Sequence, residues 1–205
     1  MLKTKSLRRR VDRKTHTPKR QVVNWVVTVG SVILCLLLLP MRIPGMELLG
    51  IAPNWLLIWV VAWSIRRTAI QGAIAGLVLG LIQDGMTSPI PTHVLGLMIV
   101  GVLTARLQKQ RYLQEDFIIV ALIVFGMTIL VEIVATLQFS FLSYTTTGTD
   151  TNTIAKLVEI WQYHQQVALT SAIISSLWAP IIYYPLNHWW AKTVGIQNSQ
   201  FGIRN

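Results

Sequence analysis

The sequence predicts an all-α integral membrane protein, a bundle of six transmembrane helices, and three observations predict it. Of 205 residues, 53% are apolar and 13% charged, with a mean hydropathy of +0.53. A soluble domain carries about 25% charged residues, so this much apolar surface suits lipid better than a small aqueous core. Six stretches approach the roughly 20 apolar residues that a spanning helix needs, about 17 being a workable minimum. The basic residues, finally, alternate between loops as the positive-inside rule requires. With both termini in the cytoplasm, every Lys and Arg except Arg42 and Lys156 falls on the inner side.

Residues 1–21 form a basic arm containing Lys3, Lys5, Arg8, Arg9, Arg10, Arg13, Lys14, Lys19 and Arg20, opposed by Asp12 alone. Such a run can bind nucleic acid, but it leads directly into an apolar run. Contact with anionic lipid, worth about 1 kcal/mol per charge near the surface, is the better reading, with Arg8, Arg9, Arg10, Arg13, Lys14, Lys19 and Arg20 as the contact residues. No nucleic-acid partner is expected.

The transmembrane domain is expected over 22–191, followed by a cytoplasmic tail over 192–205. Its first span, 22–39, stops at Pro40. It is too long for a signal-peptide core and lacks a following small-residue cleavage site, so it reads as an uncleaved signal anchor; an organellar transit peptide is the minor reading. Cys35 within it is the only cysteine, which excludes an intramolecular disulfide and a cysteine-based metal site.

The second span, 48–65, stops at Arg66 and Arg67. The third, 68–83, is short and glycine-rich, and the fourth, 90–105, carries His93. The fifth, 117–142, is the longest, and the sixth, 167–190, is expected to be broken by Pro180 and Pro185. Between the last two, a polar tract reads as a turn. Ile154, Leu157, Val158 and Trp161 then recur at helical spacing, as in a short amphipathic helix on the outer interface; a solvated loop is the equal alternative.

Gly72, Gly76, Gly80 and Asp84 follow one another at intervals of four, so they share one face of the third helix. Glycines let a second backbone approach closely, where packing operates without a hydrophobic drive. Packing inside the bundle is favoured over a partner-docking face. Asp84 ends the ridge near the outer interface, where its carboxylate can meet water, a partner's donor or the start of the next helix. Glu132 lies mid-span, where an ionised acid is costly, so it should face the bundle. A buried interhelical hydrogen bond is favoured over a proton or solute relay. His93 and His188, near span ends, read as structural.

The sequence holds no P-loop, no dinucleotide fingerprint, no H-E-x-x-H zinc motif and no G-x-S-x-G elbow. Ser171, Ser175 and Ser176 lack a nearby activating base. No cofactor, metal site or catalytic residue is expected, and an enzyme is the weakest of the function classes considered.

Pro53, Asn54 and Trp55, followed by the glycine ridge and the Gly80 to Asp84 turn, resemble the bacterial rod shape-determining protein MreD family. Gly96 and Gly101 in the fourth span, Glu132 in the fifth, and Trp178 with Pro180 in the sixth also match. The resemblance is closer over 53–106 than over 117–190 and does not cover the arm or the tail. The arm is longer than usual, and two prolines follow Asp84 where a compact glycine turn is more usual. The resemblance implies a non-enzymatic inner-membrane subunit of the cell-elongation and peptidoglycan-synthesis machinery. Its expected partners are an MreC-like scaffold protein and, indirectly, the actin-like filament and wall synthases. It further implies a bundle like the S components of energy-coupling-factor transporters. The alternative function is therefore a vitamin-binding subunit, for which Asn54, Asp84, His93 and Gln138 would supply polar groups.

Overall fold

The computed structural model describes residues 18–41, 45–65, 67–87, 92–108, 117–147 and 151–200. Among these the chain is helical: α1 (Pro18–Leu38), α2 (Trp55–Ser64), α3 (Ala69–Thr87), α4 (His93–Gln108), α5 (Phe117–Thr147) and α6 (Thr151–Gln200). Three stretches are long and apolar enough to cross a membrane: Ala69–Thr87, Phe117–Leu142 and Trp161–Trp190. Val22–Leu38, Trp55–Ser64 and His93–Leu107 are shorter apolar helices.

The helix α2 is the hub, touching each of the other five. A helix apolar on all sides belongs inside a protein or in lipid, and of its ten residues only Trp63 escapes full burial. Around it, α3 pairs with α4 and α5 with α6 as two close hairpins. Tryptophans tie α2 to the outer helices. Trp55 meets Trp178 of α6 edge-on, with ring centroids 5.8 Å apart. Trp59 stacks on Trp63, meets Trp190 edge-on at 6.1 Å, and donates its Nε1 hydrogen to Ser31 Oγ of α1 at 2.8 Å. The Arg67 guanidinium sits 5.1 Å from the centre of the Trp63 ring, a cation–π contact at the end of the helix.

In three places the structure differs from the sequence expectation. The second span was expected to be helical from 48, but α2 starts at Trp55 and is 10 residues long, about 15 Å. The preceding segment turns instead: Leu48 and Ile51 exchange backbone hydrogen bonds of 3.0 Å across Leu49 and Gly50, both at positive φ. Pro53 and the Asn54 cap then set the helix start, since proline disfavours helical backbone at the residue before it.

The sixth helix, by contrast, runs unbroken through Pro180 and Pro185 for 50 residues. Each proline costs one helical hydrogen bond, but buried residues flank both: Ala179, next to Pro180, is fully buried, and Tyr183 precedes Pro185 by two. Packing of this kind against neighbouring helices lets membrane helices keep internal prolines. The stretch read as a separate interfacial helix, or else as a loop, forms the first turns of this same helix. At about 75 Å, α6 exceeds the roughly 40–45 Å of a whole bilayer.

Candidate functional site

The glycine ridge lies in the seam between α3 and α4. A Cβ added to Gly72 would collide with the backbone carbonyl of Gly101, and one added to Gly76 with the carbonyl of Leu97. At Gly80 it would stand 2.6 Å from Val94 Cα. Real Cβ atoms do not approach backbone below 3.0 Å, so each position admits glycine alone at this separation. Gly101 is reciprocally closed by Gly72, and Gly96 turns to α5, where a Cβ would meet Val131 Cγ1 at 3.0 Å. Backbone rather than side chains forms the seam.

Asp84 crowns it. Its carboxylate accepts the backbone N–H of His93 through both oxygens (3.0 and 3.1 Å) and that of Val94 at 3.1 Å. The His93 Nδ1 lies 2.7 Å from Oδ1. These are the first residues of α4, whose leading N–H groups have no partner within the helix and carry its positive dipole end. A cap normally comes from the residue before the helix. Here Thr92 occupies that position, with its Oγ1 3.2 Å from His93 Nδ1, and the acid comes from the neighbouring helix. The two prolines between Asp84 and His93 depart from the expected turn, yet the hairpin closes through this carboxylate.

Of the residues that carry the resemblance, Pro53, Asn54 and Trp55 lie at the start of α2 and Gly96 lies in α4. Asn54 caps the helix, its Oδ1 accepting from Leu57 N at 3.1 Å, while its own N–H donates to Ser175 Oγ of α6 at 2.9 Å. Pro53 is buried, and Trp55 rests against Trp178, two residues before Pro180. Asn54 and Trp55 of α2 thus meet Ser175 and Trp178 of α6 at one junction. Ser175 belongs to this junction as a hydrogen-bond acceptor, a role that the local sequence does not signal.

Glu132 on α5 faces α6, where His164 Nδ1 stands 3.6 Å from its Oε2. That is within ion-pair reach when the imidazole is protonated and longer than a hydrogen bond. Both side chains are mostly buried, 15% exposed for Glu132 and 17% for His164. His164 was not singled out from the sequence, because a partner 32 positions away leaves no periodic trace. Glu132→Gln keeps shape and polarity and should leave the folded yield near wild type. Glu132→Leu should lower stability by about 1–3 kcal/mol, by leaving the imidazole without its polar partner. Thermal unfolding of the two variants in detergent decides this; equal damage from both would make ionisation of Glu132 essential. Arg8, Arg9, Arg10, Arg13 and Lys14 lie outside the described residues, and Lys19 and Arg20 fall in the first turn of α1.

Apolar helices packed around a buried hub, with polar groups turned inward to cap and pair, define a helical membrane protein. The chain belongs to the MreD family: the model for rod shape-determining protein MreD matches residues 19–186. None of the curated proteins matches it significantly. Family membership makes it a rod shape-determining membrane protein, concerned with cell shape and morphogenesis, in a structural family rather than an enzyme family.

Proposed function

We propose that the protein is a non-enzymatic scaffold subunit of the bacterial cell-elongation complex. It would hold an MreC-like protein at the inner membrane and, through it, engage the actin-like filament and the peptidoglycan synthases. The family match over residues 19–186 is the observation that carries this reading. The glycine ridge is occupied by α4, so we place the partner contact on other faces of the bundle. The test is affinity purification from gently solubilised membranes, with mass spectrometry of proteins and small molecules. Wall-synthesis partners without a bound small molecule are expected, and depletion should round or widen the cells.

The proposed topology has six crossings and cytoplasmic termini, with the arm over 1–21 and the tail over 192–205 inside. Residues 48–54 and α2 would complete one crossing together. Non-helical backbone is tolerated at membrane depth only where protein buries it, and Ala52, Pro53 and Asn54 are all buried or half-buried. In a Cys35→Ser background, single cysteines at Thr17, Thr147 and Ser199 test the map. Only the Thr147 site should react with an impermeant thiol reagent added outside sealed cells, and labelling at either terminus overturns it.

A second reading, a substrate-binding subunit resembling a transporter S component, draws on the Asp84–His93 and Glu132–His164 pairs. A stoichiometric vitamin-like ligand together with an ATPase module in the same purification would establish it instead.

A further inference from the structure

The start of α6 is held to α5 by very little. Among its described side chains from Val158 to Gln166, all are exposed except His164, which is mostly buried. Full burial begins only at Ala168. A helix end with few buried contacts has low local stability, so what His164 meets decides whether this end stays docked.

His164 meets α5 twice. Its ring packs against Phe139, with centroids 5.5 Å apart, and its Nδ1 stands 3.6 Å from Glu132 Oε2. That nitrogen is buried and has no hydrogen-bond partner among the described residues, so its tie to Glu132 is electrostatic. The neighbouring helices offer Glu132 no better counter-charge. Glu132 is the only charged residue of α5, and α2 carries none. From α4, His93 is near enough to act on Glu132, but Asp84 of α3 already holds its Nδ1 at 2.7 Å. On α6 itself, Glu159 and Tyr163 are exposed, and Lys156 lies about two turns nearer the helix start.

A proton therefore sets the charge balance. With one proton on the pair its charges cancel, whichever of the two groups carries it. With none, a mostly buried carboxylate faces a neutral imidazole, and an uncompensated buried charge is costly. The proton leaves as pH rises, and imidazole is the side chain whose charge ordinarily changes near neutrality. His164 stands three residues inside the apolar stretch Trp161–Trp190, close to water, and both side chains keep some exposure through which protons exchange.

We propose that Glu132 and His164 are a proton-operated latch that docks the start of α6 on α5, closed while the pair holds a proton and released when it is lost. This device is independent of the scaffold role. In the proposed topology this end of the bundle faces outward, so the latch follows the acidity of the medium.

The test uses the full-length protein with Cys35→Ser, reconstituted in lipid vesicles. Spin labels are placed at Phe141→Cys and Val158→Cys, exposed positions on α5 and α6. Their separation is measured at about pH 6 and about pH 9, on either side of neutrality. The fraction with a lengthened separation should rise about tenfold at the higher pH, as follows when the closed pair binds its proton about ten times more tightly than the open one. Glu132→Gln and, separately, His164→Gln should each remove this response. A control pair at Val78 and Leu95, exposed on α3 and α4 beside the glycine seam, should keep its separation throughout. A separation between Phe141 and Val158 that ignores pH, a response that survives in either Gln variant, or an equal change at the control pair overturns the proposal.

Discussion

Gly76→Leu should prevent the folded protein from accumulating. A Cβ at this position already lies inside the Leu97 carbonyl, so a leucine must drive two backbones apart rather than displace a side chain. Overpacking a well-filled core typically costs about 1–3 kcal/mol. Here the obstacle is backbone along a whole seam, which puts the cost at the top of that range or above it. Gly76→Ala makes the sign of the effect diagnostic. On an open helix face, alanine stabilises by about 1 kcal/mol over glycine, and Gly85→Ala, with nothing within 4 Å of its added Cβ, should behave that way. Gly76→Ala should instead lower the unfolding temperature, and Gly72→Ala and Gly80→Ala should do the same. Membrane abundance and thermal unfolding in detergent read all five variants. Wild-type behaviour of Gly76→Leu would mean that α3 and α4 are not in contact at this face.

Asp84→Ala should be the most damaging loss of a single polar group. The carboxylate receives two backbone N–H groups of α4 and the His93 ring. Truncation strips the helix of its cap, about 0.5–2 kcal/mol. It also leaves buried donors unsatisfied, at about 1–3 kcal/mol for each group. Asp84→Asn retains one acceptor and should fall between wild type and Ala. His93→Ala removes the ring contact but leaves both backbone bonds, so it should cost less than Asp84→Ala. Hydrogen exchange in the first turn of α4 offers a local measure beside thermal unfolding. It should accelerate in Asp84→Ala while exchange in α5 stays unchanged, and an unaltered first turn would remove Asp84 from the capping role.

Several features were legible before the fold was known because they are local. Residues four apart share a helix face whatever surrounds them, so the ridge of Gly72, Gly76 and Gly80 ending in Asp84 could be read directly. Family membership followed from the same motif and from Pro53, Asn54 and Trp55, and the family match agrees. Composition established an apolar helical protein, because few charges and long apolar runs leave little alternative.

What the sequence could not determine is which groups meet. In a soluble helix an apolar stripe marks the buried face, but a membrane helix is apolar on every side, so only its small or polar residues betray a contact. The glycines revealed that α3 packs closely, and only the tertiary structure decided that α4 fills the seam. Asp84 announced a polar role near a helix end, while its assignment to His93 and Val94 required the hairpin to close. Glu132 and His164 sit on different helices and meet only because α5 and α6 pair. The shortening of α2 and the continuity of α6 through two prolines were likewise settled by neighbours, since the hydrogen bonds a proline or a turn gives up are affordable only where surrounding helices bury or replace them.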